Sequence, residues 1–316
     1  MQKKIKVFAP ATVANVGCGF DIIGFALDGI GEEIIITQTQ NGSLSVKPVK
    51  GFEDIPTDPE KNVATVAVKK MLAYLGIEQG FEFEFIKHIK PGSGLGTSAS
   101  SSAGAVFGVN EILGKPLTNK QLVEFAMEGE KLLSGKAHGD NVSPALLGGF
   151  QLIRGYDPLD LINVAFPENM YVTVVHPQVE IKTSEARKML RTEVPMSEAV
   201  TQWGNVAGLV SGLYTADLDL IGRSMQDVIV EPIRSRLIPK FDEVKAGALA
   251  VGGVGCSIAG SGPSLFAFSK DEQTAEAIKE KMKEIYEQAG IEVILYISKI
   301  GKQGARVVDI DQAENN

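Results

Sequence analysis

Apolar and polar residues take strict turns along Phe81-Glu82-Phe83-Glu84-Phe85-Ile86-Lys87, the period-two signature of a strand with one buried face. Lys4 to Ala9 alternates in the same way. Glu33 to Thr39 and Leu44 to Val46 also read as strands, and the Asn41-Gly42 pair between them predicts a hairpin. Thr12 to Gly24 reads as loop, punctuated by Gly17, Gly19 and Gly24. The period becomes helical over Val63 to Leu75. Ser98 to Leu113 is rich in alanine and apolar on most sides, which predicts a buried helix. Thr118 suits the N-cap of a helix running to about Leu133, and Gly148-Gly149 leads into a strand at Phe150 to Ile153.

Tyr156 to Asn169 holds two prolines and several turn formers, so a domain boundary is expected there, with domains at 1–163 and 164–316. The second half opens with a strand at Tyr171 to His176. Helical segments follow at Ser184 to Leu190, Glu198 to Tyr214, Leu218 to Val228 and Lys240 to Leu249. Strands are expected at Val254 to Ala259 and Ser264 to Phe268, then a helix at Asp271 to Gln288 and a strand at Glu292 to Ser298. This order fits an α+β split-βαβ layer. Only the acidic tail after Ile310 reads as disordered.

Composition narrows the function. A chain of 316 residues with 44% hydrophobic and 22% charged content reads as a globular protein of about two domains. The net charge of −8 argues against nucleic acid as the main partner. Cys18 and Cys256 make no disulfide framework and read as buried thiols, and His88, His138 and His176 show no zinc spacing with them. No signal peptide or membrane span is visible, so no membrane partner and a reducing cytoplasm are expected.

The chemistry concentrates in Pro91-Gly92-Ser93-Gly94-Leu95-Gly96-Thr97-Ser98, set between a strong strand and a strong helix. Glycine lets a ligand approach the backbone closely, and the helix start offers unpaired N–H groups and partial positive charge. Together they predict an anion cradle, with a nucleotide phosphate as the natural anion. The Walker pattern and the dinucleotide fingerprint are both absent, the latter because Thr97 stands in its last position.

The loop resembles the phosphate loop of the GHMP small-molecule kinases. The run from Pro10 through Asn15, Gly17, Gly19 and Phe20 to Asp21 is similar to the opening motif of the homoserine kinases among them. So are His138-Gly139-Asp140-Asn141 with the following glycine pair, Thr183-Ser184-Glu185-Ala186-Arg187, and Glu231-Pro232-Ile233-Arg234. Gly252 to Ser264 looks like the family's third motif, with Gly260 and Ser261 nearest the ligand. The blocks follow in order over nearly the whole chain. Gly139 stands where relatives often carry alanine or tyrosine.

The resemblance implies a two-domain α+β architecture, an N-terminal domain like ribosomal protein S5 domain 2 and a ferredoxin-like C-terminal domain. It implies ATP-dependent phosphorylation of the hydroxyl of L-homoserine, a step toward threonine. Asn15 and Asp21 would hold the substrate ammonium; Arg187, Arg234 and His138 would hold its carboxylate. Planar guanidinium forks suit that carboxylate. Ser98 and Glu130 would hold Mg2+. Asn62, Lys87, residues 91 to 98 and Ser101 would meet ATP. Asn141 or Thr183 would lie near the nucleophile, in a variant that needs no base, while Asp140 stays open as a base. By analogy the protein is expected to be a homodimer. Two other readings stay open: a GHMP kinase for another small alcohol such as threonine or mevalonate, and a non-catalytic nucleotide sensor.

Overall fold

The computed structural model describes residues 3–179 and 189–309. Its first sheet is built from β1 (Lys4–Ala14), β2 (Ile23–Thr39), β3 (Leu44–Val46), β4 (Gly80–Lys87), β5 (Phe150–Tyr156) and β6 (Leu159–Val164). Against it pack α1 (Val63–Leu75), α2 (Thr97–Ile112), α3 (Asn119–Ser134) and α4 (Val142–Leu147). The second sheet holds β7 (Tyr171–Pro177), β8 (Gly255–Ile258), β9 (Leu265–Ser269) and β10 (Val293–Lys299). Its helices are α5 (Met196–Thr215), α6 (Leu218–Ser224), α7 (Glu231–Arg234), α8 (Phe241–Ala250) and α9 (Glu272–Gln288). The chain returns to the first sheet as β11 (Arg306–Asp309), antiparallel to β1.

The second sheet runs β10-β7-β9-β8, antiparallel throughout, the order a split βαβ layer requires. The first sheet runs β11-β1-β2-β4-β3, with β5 on β2 and β6 on β5. An α+β fold follows, with three packed layers of apolar side chains. One lies between the first sheet and α1 to α4. A second joins the two sheets, where Phe25 meets Phe150 at 4.8 Å and Phe266 at 5.8 Å between ring centroids. The third lies under α8 and α9.

Several sequence expectations are corrected. Leu44–Val46 does not pair with β2 across Asn41-Gly42. The turn reverses the chain, with Asn41 Oδ1 accepting from Thr39 Oγ1 and the Ser43 N–H, but β4 lies between. β4 matches β2 over eight residue pairs, with Phe83 opposite Ile36, and leaves β3 a short parallel edge on β4. Thr12 to Ala14 is strand rather than loop. These residues are buried on both faces, so no alternation marks them. The expected boundary region contains β6, paired with β5. The helix expected to reach Val228 stops at Ser224, because the chain turns to start α7. The segment 184–190 falls mostly outside the described residues.

Candidate active site

β4 ends at Lys87 and delivers the glycine loop to the start of α2, whose N-cap is Gly96 in the left-handed region at φ 60°. No side chain caps this end, so the N–H groups of the first turn face outward beside the loop. A Cβ at Gly96 would overlap Thr12 Oγ1 and lie 2.6 Å from Asn141 Oδ1. Gly94, at φ 85°, lies so close to the second layer that a Cβ would fall 2.6 Å from the Ala259 carbonyl oxygen. The loop is thus closely packed on both sides, by side-chain oxygens at Gly96 and by main-chain carbonyls at Gly94. Pro91 and Gly92 are exposed, while Ser93 and Leu95 are buried. The Leu95 carbonyl accepts from the Thr12 N–H at 3.1 Å.

Ser98, in the first turn of α2, donates through Oγ to Glu130 Oε2 of α3 at 3.0 Å. Burial pushes the Glu130 carboxyl up to about 7; the Ser98 bond pulls it back, the charge of Asp140 pushes it further and Lys87 opposes that. A hydroxyl and a carboxylate at the foot of an anion cradle are hard oxygen donors suited to Mg2+, which takes one or two protein ligands and fills the rest with phosphate and water.

Lys87 and Ser101 lie beneath the first turn of α2. Lys87 Nζ pairs with buried Glu32, reaches Ser101 Oγ at 2.8 Å and the Thr97 carbonyl at 3.4 Å. Asn62 caps α1: its Oδ1 accepts from the Ala64 N–H and its Nδ2 donates to the Pro56 carbonyl.

Beside the cradle, 15–22 forms a tight loop in which Asn15 and Asp21 adopt positive φ. Asn15 works at both ends of its amide. Oδ1 accepts from the Asp21 N–H at 3.0 Å and Nδ2 donates to the Gly260 carbonyl at 2.6 Å. Asp21 Oδ1 stands 3.7 Å from His138 Nδ1. Arg234, buried at the end of α7, donates through Nη1 to the same Gly260 carbonyl at 3.1 Å and stacks on Phe20 at 5.0 Å. Asn141 Oδ1 accepts from Thr12 Oγ1 at 2.7 Å, against the loop at Gly96. Asp140 is buried behind Asn141. Thr183 and Arg187 lie outside the described residues. Burial pushes the Cys18 and Cys256 thiols up to about 12, so both act as small apolar groups, as expected.

Three contributors carried no signal of their own in the sequence. Thr12 orients Asn141. Tyr156 donates its hydroxyl to the Asp21 carbonyl at 2.6 Å and accepts from the Gly139 N–H at 3.4 Å, joining the two polar loops. Ser264 donates through Oγ to the Ser93 carbonyl at 2.6 Å. That carbonyl only accepts, so the Ser264 proton is committed and His176 Nδ1, 3.1 Å from Ser264 Oγ, must carry the hydrogen of their bond. Burial lowers His176 to about 4, with Lys90 adding to the effect, which keeps the ring neutral.

The GHMP kinases N terminal domain family matches residues 62–149 and the GHMP kinases C terminal family matches residues 209–288. A homoserine kinase of Chlorobaculum tepidum is 44% identical, over 97% of this chain and 99% of its own length. One from Chloroherpeton thalassium is 45% identical, over 97% and 100%. The crystal structure of homoserine kinase from Cytophaga hutchinsonii superposes with a TM-score of 0.93 at 49% identity, covering 96% of this chain and 97% of that one. By these matches the chain belongs to the GHMP kinases and, within them, to the homoserine kinase family.

Proposed function

We propose that this protein transfers the γ-phosphoryl group of ATP to the hydroxyl of L-homoserine, giving O-phospho-L-homoserine and ADP, a reaction that serves threonine synthesis. The observation that carries this reading is the meeting of two unlike sites at Gly260. The loop contacts the second layer there, and the Gly260 carbonyl receives both Asn15 and Arg234.

Phosphoryl transfer spreads negative charge over the γ-phosphoryl oxygens, so positioning and electrostatics govern the rate. The loop amides and the positive end of α2 take the phosphate charge. Ser98 Oγ and the ionised Glu130 carboxylate would hold Mg2+. When bound, the ion neutralises phosphate charge. In the substrate pocket, Asp21 receives the ammonium, while Arg234, together with Arg187 and His138, receives the carboxylate. Asn15 keeps one Oδ1 lone pair for the ammonium while it staples Asp21 to Gly260. Asn141 faces the hydroxyl beside Gly96, and no dedicated base is needed: the O–P bond forms as the bond from the γ-phosphorus to ADP breaks, and the hydroxyl proton passes to a phosphoryl oxygen and on to solvent. Asn62 and Lys87 support the nucleotide end from beneath. Residues 1–163 hold the nucleotide and 164–316 complete the substrate pocket, and the protein works as a homodimer in the cytoplasm.

An ADP-release assay over a panel of L-homoserine, L-threonine and mevalonate tests the reading. L-Homoserine should exceed the other two by at least tenfold in kcat/KM. Preference for another alcohol, or ATP binding without turnover of any, would overturn it.

A further inference from the structure

The pocket reads an amino acid at two ends, and its two readers come from distant segments. Asp21 sits on the 15–22 loop and Arg234 ends α7. A bridge built from two side chains outside the recognised motifs ties these segments together. Asp227 is a buried carboxylate just before α7. Its Oδ1 accepts the N–H groups of Ile229 and Val230, both at 2.9 Å, and its Oδ2 accepts that of Glu231 at 2.9 Å. The carboxylate therefore sets where α7 begins and, one turn on, where Arg234 points.

Gln202 of α5 connects this carboxylate to the other reader. Its Nε2 donates to Asp227 Oδ1 at 3.0 Å and to the Cys18 carbonyl at 2.8 Å, and its Oε1 accepts from the Val228 N–H at 3.0 Å. One amide thereby spans α5, the segment before α7 and the loop that carries Asp21. The two segments also touch directly: a Cβ at Gly17 would lie 2.5 Å from the Met225 carbonyl oxygen. One turn along α5, Asn205 grips only the α7 side, donating to the Gln226 carbonyl at 2.8 Å.

We propose that Gln202 and Asp227 are positioning residues that fix the distance between the ammonium reader Asp21 and the carboxylate reader Arg234, and so select an alcohol by the spacing of its two charged ends. The proposal rests on the assignment of Asp21 and Arg234 to the two ends of an amino-acid substrate. Gln202 and Asp227 bond the 15–22 loop and the start of α7 and not the phosphate loop, so the loss of either falls first on the amino-acid end. A catalytic site must hold its groups to within roughly 0.5 Å, and a bond lost from such a support is felt as misplacement.

The experiment is steady-state kinetics of Gln202→Ala, Asp227→Asn and Asn205→Ala with L-homoserine, 4-hydroxybutyrate (no ammonium) and 3-amino-1-propanol (no carboxylate). Circular dichroism and melting confirm folding. In Gln202→Ala, which loses three hydrogen bonds, KM for L-homoserine should rise at least tenfold, the loss expected from one such bond alone, while KM for ATP stays within twofold. The advantage of L-homoserine over each truncated alcohol should shrink by a similar factor, because a loosened spacing no longer rewards both ends together. Asp227→Asn should show the same split more strongly. Asn205→Ala should stay within twofold of wild type. The proposal is overturned if Gln202→Ala folds with an unchanged KM for L-homoserine, if both KM values rise together, or if Asn205→Ala matches it. Absence of L-homoserine turnover in the wild type would instead refute the substrate assignment; the split is then read on whichever alcohol the wild type accepts.

Discussion

Replacing Glu130 by Gln separates what this carboxylate does in catalysis from what it costs the fold. Burial holds the group at about 7 against an ordinary 4.5, a gap of about 2.5 pH units. Between those values the folded protein keeps a proton that the unfolded chain has released. Stability therefore falls as pH rises from 4.5 to 7 and stays low above it. At about 1.36 kcal/mol for each pH unit the upper limit is roughly 3.4 kcal/mol. The residue as a whole is only half-buried, and relaxation of its surroundings brings the figure to about 2 kcal/mol. Gln has the same shape, no charge, and can still bond Ser98 Oγ. Without nucleotide or metal, Glu130→Gln should be about 2 kcal/mol more stable than wild type at pH 8 and no more stable at pH 4. With an unfolding entropy of about 2.1 cal/mol/K per residue, that is a melting point about 3 °C higher at pH 8. Turnover should fall roughly 10²- to 10³-fold, the range for losing one electrostatic contact to the transition state. Melting curves at both pH values and ADP release at saturating magnesium give the two readings. A variant no more stable than wild type at pH 8 refutes the burial argument, and one with wild-type turnover refutes the cation-holding role.

Arg234→Lys should raise KM for L-homoserine at least tenfold with KM for ATP unchanged, since an ammonium cannot reproduce a planar fork that bonds Gly260 and stacks on Phe20; equal effects on both substrates would count against a carboxylate role. Ser264→Ala removes the shorter of the two bonds Ser264 gives the Ser93 carbonyl, leaving its N–H at 3.3 Å, and should raise KM for ATP severalfold while leaving KM for L-homoserine alone, as initial rates with each substrate varied will tell. His176, held down to about 4 by burial, charges more readily in the unfolded chain, so it contributes stability that is present above its ordinary 6.5 and lost as pH falls toward 4. His176→Asn should flatten the melting temperature between pH 6.5 and 4, and an unchanged slope would contradict the assignment. Gly94→Ala should weaken ATP binding at least tenfold by calorimetry, because its Cβ would lie 2.6 Å from the Ala259 carbonyl oxygen at a φ of 85°.

Legibility in the sequence followed the physics of each element. β4 and α1 were readable because one buried face imposes a period, and α3 because Thr118 and Gln121 form a capping box. The end of β1 was not readable, since Thr12, Val13 and Ala14 are buried on both sides and lose the alternation. The partner of Leu44–Val46 was hidden because a turn specifies that a chain reverses, not which later strand enters between its arms. Within the site, groups on tight loops stood out through their glycines. Tyr156, Gln202 and Ser264 did not, because each acts by bonding a backbone group far away in sequence, and Asp227 did not, because its local cap matters to the site only through Gln202 on another helix. Helix pattern shows Gln202 as one polar residue among many on α5, and nothing local marks the Cys18 carbonyl as its target.

The main chain of the Gly260 turn is one point at which the two halves of the site are coupled. Gly260 donates its N–H to the Ala14 carbonyl at 3.1 Å, at the end of β1, and offers its own carbonyl to Asn15 and Arg234. The same turn abuts Gly94 of the phosphate loop, where added Cβ atoms would strike carbonyl oxygens. A contact between backbones has no rotamer with which to adjust, so the Gly260 turn and the phosphate loop hold one relative placement. The Ser264 bond to the Ser93 carbonyl acts in parallel, from the same turn to the same loop. On the proposed assignment, the amino-acid and triphosphate ends share this one turn, which would set the relative placement of hydroxyl and γ-phosphoryl. Such a shared element would let positioning carry the phosphoryl transfer, as the proposed mechanism requires.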